Sequence, residues 1–498
     1  MKKDTRIFMF IEHRMKYLKV LFICVTVISL VGCKKLIEVD GPVTSLSSAN
    51  IYDNDATATS VVTGIYTNLS LPGFQSGGLT SLSYLTGLSA DELTLNKSNS
   101  DILLKSYYLN KLGSQLAGFE FWNNIYPTIY VTNSVIEGIS SSKGLSESVR
   151  KQLLGEAKFM RAFCFFYLVN LYGDVPLVLN TDYKVNAQIS RTNKELVWQQ
   201  IVKDLEEAQD LLNVNYLDAT LTKIVNERVR PTKGAATALL ARAYLYNKDW
   251  QHAEKSSGEL LNNSLYKLAN IDDVFKMNNQ EAIWQIPPVS NGINTQDAAA
   301  FIILPGGGLT STPVYLSENL LNSFDAGDSR KTHWINNITL NEITYFYAYK
   351  YKIPTSGDPN ALVFEYSTIF RLAEQYLIRA EARIQQNKIA EGIDDLNMIR
   401  SRATDRNSSP SAQLKILPKN LSKADALIAV KKERFCEFFT EWGHRWLDLK
   451  RTGDVDSVME EEVPKKITGG SWKSYQQYYP LPVRDLLKDR NLIQNQGY

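Results

Sequence analysis

Apolar residues return every three or four positions along most of this chain, the spacing of one buried face of an α-helix. The pattern predicts helices over 48–68, with Ala56, Val61, Ile65 and Leu69 in step, and over 119–139, with Phe119, Trp122, Ile125, Tyr126, Ile129, Asn133 and Ile136 on one stripe. It predicts two more over 148–171, ended by Gly173 and Pro176, and over 193–212, with Asn193 as N-cap and Glu195 in the first turn. Residues 71–113 break the pattern. They are rich in Gly and Ser and predict a long irregular loop region.

Two later segments repeat one another. LLARAYLY (239–246) and LIRAEA (377–382) each lead into a short polar turn, 247–249 and 386–388, and then into a helix with an early small residue, Ala253 and Ala390. The Arg161-Ala162 segment belongs to a third helix of the same flavour. Small residues at a crossing let two helices pack closely, which is the physics of tetratricopeptide-type hairpins. The full repeat consensus is missing. The expected fold class is therefore mainly α: an irregular tetratricopeptide-like scaffold of helical hairpins. Between the two hairpins, residues 270–370 change character, with Pro287-Pro288, Gly306-Gly307-Gly308 and Asp325-Ala326-Gly327-Asp328 as punctuation. Within them 344–352 predicts a strand whose Tyr345, Tyr347, Tyr349 and Tyr351 share one face. This stretch reads as a loop-rich insertion with a few short strands, and loops carried on a rigid frame are where binding usually sits.

The N-terminal segment has a different logic. Lys16 and Lys19 precede an apolar run over 18–30, and small Gly32 stands before Cys33. That is the layout of a signal peptide, and the run is shorter than the roughly 20 apolar residues of a membrane span. LVGC (30–33) resembles the lipobox of bacterial lipoproteins, in which the cysteine becomes the acylated mature N-terminus; this implies lipid attachment at Cys33. Residues 1–14 are then an extended leader, or Met15 is the true start. The expected organisation is a signal over 1–32, a polar tether over 33–48 and a single domain over 49–498, with an N-terminal helical part to about 230.

At 44% apolar and 22% charged, the composition supports a sizeable core. A net charge of +2 makes no electrostatic case for nucleic acid or a strongly anionic partner. Past Cys24 and Cys33 only Cys164 and Cys436 remain, each in an apolar helical setting, so two buried free thiols are expected rather than a disulfide. The chemistry of an enzyme is missing as well. There is no Gly-x-Ser-x-Gly elbow, no His-Glu-x-x-His and no phosphate loop ending in Gly-Lys-Ser/Thr. The four histidines, His13, His252, His333 and His444, are scattered, so no metal site is expected, and no cofactor. Gly306-Gly307-Gly308 lacks the strand–helix context of a nucleotide loop and reads as a turn.

Four ordered segments carry a resemblance. They are EAKFMRAFCFFYLVNLYGDVP (156–176), RLAEQYLIRAEA (371–382) with DLNMIRSRA (395–403), ERFCEFFTEWGHRWLDLKR (433–451), and YPLP (479–482) with the ending NLIQNQGY (491–498). Together with the lipobox they resemble the SusD/RagB family of outer-membrane nutrient-binding lipoproteins. Gln496 and Arg484 depart from the family's usual proline and acidic residue. The third segment also reads physically as one helix, with Glu433, Glu437, Glu441 and Arg445 four apart and a Glu441–Arg445 pair expected. An acid–base reading of Glu437, Glu441 and His444 is the alternative, but charge ladders on helices are far commoner. Glu374 and Glu381, flanking Arg379, read the same way.

The resemblance implies a surface lipoprotein that captures an oligosaccharide and hands it to a SusC-type TonB-dependent transporter in the outer membrane. The same scaffold binding peptides is the alternative, and a surface glycoside hydrolase a more distant one. Sugars would stack on exposed aromatic rings flanked by polar side chains. No family motif marks the contact residues, so they are sought in the irregular regions: Trp334, Tyr345, Tyr347 and Tyr315, with Asp91, Asn96 and Asn99 from the first loop region.

Overall fold

Helices stacked side by side form the frame. In the computed structural model, which describes residues 51–70, 81–354, 358, 360–405 and 408–498, the chain opens with α1 (Asp55–Ser70), α2 (Leu82–Ser89), β1 (Leu93–Leu95) and α3 (Ile102–Tyr108). The long pair α4 (Glu120–Ser141) and α5 (Glu147–Tyr172) follows, then α6 (Tyr183–Asn186), α7 (Lys194–Leu211) and the hairpin of α8 (Lys233–Tyr246) with α9 (Trp250–Leu261). An insertion carries β2 (Ala282–Ile286), α10 (Gln296–Phe301), α11 (Gly308–Ser311), β3 (Val314–Leu316), α12 (Glu318–Ser323), α13 (Arg330–His333), β4 (Ile335–Leu340), β5 (Ile343–Ala348) and β6 (Ser367–Arg371). The second hairpin, α14 (Leu372–Gln385) with α15 (Ile389–Arg402), leads to α16 (Lys423–Phe438), α17 (His444–Thr452), α18 (Val455–Lys466) and α19 (Val483–Lys488).

α4 packs on α5, α5 on α7, α7 on α8, α8 on α9, α9 on α14 and α14 on α15. The stack therefore runs straight through the insertion, which leaves it after α9 and rejoins it at α14. Both predicted hairpin turns stand where expected, and both hold their middle residue in the left-handed region, Lys248 at φ 60 and Asn387 at φ 65. Close approach inside the second hairpin depends on Gly392, where a Cβ would meet the Ala380 carbonyl at 2.8 Å. Leu377, Ile384, Ile393, Leu396, Val430 and Phe438 fill the core beneath it. Asn193 caps α7 by accepting from the Glu195 amide at 2.9 Å. Cys164 and Cys436 are buried free thiols; burial pushes the Cys436 thiol up to about 12. Among the described residues no helix is long and apolar enough to cross a membrane. The leader, the Cys33 site and the tether lie outside those residues.

Three expectations need correction. Residues 81–113 are not a loop but carry α2, β1 and α3. Ser81 and Asp101, counted as loop residues, are N-caps that accept from the Tyr84 and Leu104 amides at 3.3 and 3.1 Å. Every residue of α2 is buried, so it has no polar face and no helical period to read. Second, 433–451 is not one helix. It breaks after Phe438 because Thr440, Trp442 and Gly443 take positive φ values of 55, 48 and 75°. Third, the charge ladder pairs across elements rather than along itself. Glu374 binds Arg242 at 2.6 Å, Glu381 binds Arg451 at 2.6 Å and Arg379 binds Asp395 at 2.7 Å. Arg445 turns away from Glu441 to Asp91.

The break after Phe438 organises the largest buried ion network. Arg371 reaches Glu437 at 2.5 Å, Glu441 at 2.9 Å and Glu281 at 3.1 Å. Arg330 joins Asp328, Glu433 and Glu437 at 2.6, 2.7 and 2.8 Å, and Arg402 also binds Glu437. Lys350 donates to Glu441 at 2.5 Å and to the Glu437 carbonyl at 2.8 Å. Burial alone would raise the Glu437 carboxyl, but Arg402, Arg371 and Arg330 outweigh it and hold it well below the usual carboxylate range. Arg371→Met would strand these carboxylates in a dry interior. It is expected to lower the unfolding free energy in a denaturant titration by about 3–5 kcal/mol. Because the folded Glu437 value is depressed, its contribution is fully present above its ordinary value near 4.5 and is lost as pH falls through the folded one. Glu437→Gln should therefore flatten the acid limb of the stability–pH curve below about pH 4.5, measured by thermal melts across pH.

Candidate functional site

The insertion is tied to the N-terminal region by a short sheet. β1 pairs antiparallel with β3, setting Thr94 opposite Tyr315. The Asn96 amide donates to the Pro313 carbonyl at 2.7 Å, and the Ser317 amide to the Glu92 carbonyl at 3.0 Å, extending the ladder at both ends. Beside this sheet lies an open groove of about 640 Å³. Thr94, Asn96 and Lys97 form one side, Tyr315, Glu318 and Asn319 another, and Lys105 and Tyr108 of α3 with Lys465 and Lys466 of α18 complete it.

The groove's polar groups are held in place. Asp91 accepts both prongs of the Arg445 guanidinium at 2.7 and 2.6 Å and the Asn319 amide at 2.6 Å. Beneath it, burial pushes the Glu92 carboxyl up to about 8. Lys466 donates to the Leu88 and Ala90 carbonyls at 2.8 and 2.7 Å, at the C-terminal end of α2, and its ammonium lies 5.0 Å from the Tyr108 ring centre. Burial pulls Lys466 down to about 7, with Asp91 and Glu462 acting the other way. Burial also pushes the Tyr108 phenol up to about 12. Tyr345 of β5 stands edge-to-face against Tyr315, ring centres 5.1 Å apart at 69°, so the two rings form one aromatic surface beside the groove.

The structure thus brings together Asp91, Asn96, Tyr315 and Tyr345 of the residues expected from sequence. Asn99 is close by but turned to its own loop, accepting from the Asp101 amide at 2.9 Å ahead of α3. Trp334 and Tyr347 are not part of it. Trp334 is 0% exposed, its indole donates to the Ile271 carbonyl at 2.9 Å, and Lys350 sits 5.0 Å from its ring. Its polar sequence neighbours conceal a core position. Tyr347 is 7% exposed and packs toward Tyr349. Lys105, Tyr108, Lys465 and Lys466 escape a reading of the sequence because α3 and the end of α18 show no pattern that points to a shared groove. His444, the one histidine near the hallmark carboxylates, is buried against Phe438; burial and then Arg242 and Arg434 hold it well below its ordinary value, as a neutral ring. A second groove, of about 490 Å³, lies between α4 and α19 along Trp122, Tyr126 and Tyr130.

Residues 79–245 match the family described as "Starch-binding associating with outer membrane", and residues 315–498 match the "SusD family". SusD-like protein P25 of Formosa agariphila is 24% identical over an alignment of 545 residues that covers 97% of this chain and all of that one. Among solved structures, a SusD superfamily protein from Bacteroides vulgatus superposes with a TM-score of 0.74 at 21% identity, covering 90% of this chain and all of that one. A laminarin-binding SusD-like protein superposes at 0.72 and 22% identity, covering 90% and 100%. The two family matches span the N-terminal helical frame and the insertion-to-C-terminus half in the order that the hallmark segments require, and the chain belongs to the SusD/RagB family.

Proposed function

We propose that the protein is a cell-surface lipoprotein, anchored in the outer membrane through Cys33, that captures an oligosaccharide in the groove beside β1 and β3. It then delivers the sugar to a TonB-dependent transporter of the SusC type. The observation that carries the binding step is the meeting of the Tyr315–Tyr345 surface with Asp91, Asn96 and Asn319 at one groove. Pyranose rings present flat C–H faces that stack on aromatic rings, and hydroxyls at their edges that bond to amides and carboxylates. Tyrosines of this kind have few torsions to freeze, so stacking costs little entropy. The groove's size is in the range of sites for small ligands. The starch-binding description of the matched family and the laminarin-binding structure of like fold support the sugar class. Capture is favoured over hydrolysis because two of the groove's three carboxylates are engaged, Asp91 by Arg445 and Glu462 by Lys465 at 2.6 Å, which leaves Glu318 without a second carboxylate to act as its acid–base partner.

Titration calorimetry of the full chain in detergent against a glycan panel tests the binding step. For a glycan that binds, Tyr315→Ala and Tyr345→Ala are each expected to weaken affinity about 10-fold, the range of one lost aromatic contact. Unchanged affinity in both variants would remove the groove as the site. Cys33→Ala is expected to abolish labelling by a fatty-acid probe in cells and release the protein from the membrane fraction, with glycan affinity intact. Retained labelling would contradict the anchor.

A further inference from the structure

We propose that this groove selects anionic glycans, receiving a carboxylate or sulfate group at Lys97 and Lys105; the inference rests on the groove being the glycan site. The charges around it are unevenly committed. Four lysines and three carboxylates line it. Asp91 is neutralised by Arg445 from behind, and Glu462 pairs with Lys465. Glu318 is exposed in the first turn of α12, where the helix N-terminus already favours a negative charge. Among the described residues, neither Lys97 nor Lys105 has a carboxylate within salt-bridge distance or a side-chain hydrogen bond. Lys466 is held by the Leu88 and Ala90 carbonyls and pulled by burial to about 7, so it adds little positive charge to the groove.

The consequence is two cations without a partner, Lys97 and Lys105, at one groove of a chain whose net charge is only +2. Global balance says nothing about a cleft, where low-dielectric walls focus the field of nearby charges. A cation already paired gives a ligand nothing, whereas an unpaired one offers a charge-assisted hydrogen bond about twice as strong as a neutral one. Lysine is well suited to such a contact, because a mobile point charge on a long stem accepts a carboxylate or a sulfate without demanding the two-pronged geometry of arginine. Lys97 follows β1 directly after Asn96, Lys105 lies in α3, and both line the groove. An acidic sugar stacked on Tyr315 could thus have its charge met at that rim. A neutral glucan offers only hydroxyl oxygens there and has no charge to be met.

The test compares laminarin, the same polymer sulfated, and alginate, by calorimetry on the full chain in detergent. At about 50 mM salt at least one charged polymer is expected to bind about 10-fold or more tighter than laminarin, and about 500 mM salt to erase most of that advantage. Which charged polymer wins separates sulfate from carboxylate. The double variant Lys97→Gln, Lys105→Gln is expected to cost the charged polymer about 10-fold and to leave laminarin within about twofold. Equal or tighter binding of laminarin overturns the proposal, as does a charge preference that survives the double variant, or no binding of either charged polymer. If Tyr345→Ala weakens all three polymers equally while none is preferred, the groove stands as the glycan site and only its selectivity for anions falls.

Discussion

Both walls of the groove are set from one turn, residues 439–443, by buried charge. On one side, Glu437 and Glu441 collect Arg371 from the end of β6, Arg402 from the second hairpin, and Arg330 and Lys350 from the insertion. On the other, Arg445 reaches Asp91 just ahead of β1. Lys350 stands two residues past β5, with its ammonium 3.9 Å from the Phe439 ring centre. Its attachment therefore positions the hairpin that carries Tyr345. Without the helix break after Phe438, Glu441 and Arg445 would lie on one helical face and pair with each other, and neither wall would be held. Burying so many ions costs several kcal/mol each before pairing, so the arrangement is tolerable only because each charge finds opposite partners. Apolar replacements could match its stability. They would not dictate where an inserted segment of about a hundred residues rejoins the stack.

The sequence makes the frame legible, and for a physical reason. α4 and α7 bury one stripe and expose another, so their periods at 119–139 and 193–212 stand out, as do the polar twin turns at 247–249 and 386–388. Where burial is complete, the signal vanishes. α2 has no exposed face, and Trp334, among polar neighbours in sequence, sits at 0% exposure. The groove was half legible. Asp91 and Asn96 flank β1, and Tyr315 and Tyr345 stand on the short strands β3 and β5, in stretches whose lack of a helical period sets them apart from the frame. Tyr108 and the lysines of α3 and α18 come together only through tertiary contacts that no local pattern encodes. The charge ladder shows the same limit: which residues are paired could be read, but with whom could not.

The division of labour follows. Hallmark segments shared with the family carry the frame and its ion pairs, while the aromatic and lysine groups at the groove come from outside them. A scaffold can therefore keep its core intact while the groove residues change the ligand. A near-neutral chain and two lysines without a partner at one groove are compatible for the same reason, since selectivity belongs to the cleft and not to the average.

The ligand is proposed to lie in the groove beside β1 and β3, against the Tyr315–Tyr345 surface. Backbone hydrogen exchange, measured on the full chain with and without a glycan it binds, tests that most directly. Protection is expected over 93–97, 314–319 and 343–347, with the helices α4 and α19 unchanged. Protection confined instead to the second groove, along Trp122, Tyr126 and Tyr130, would contradict the account.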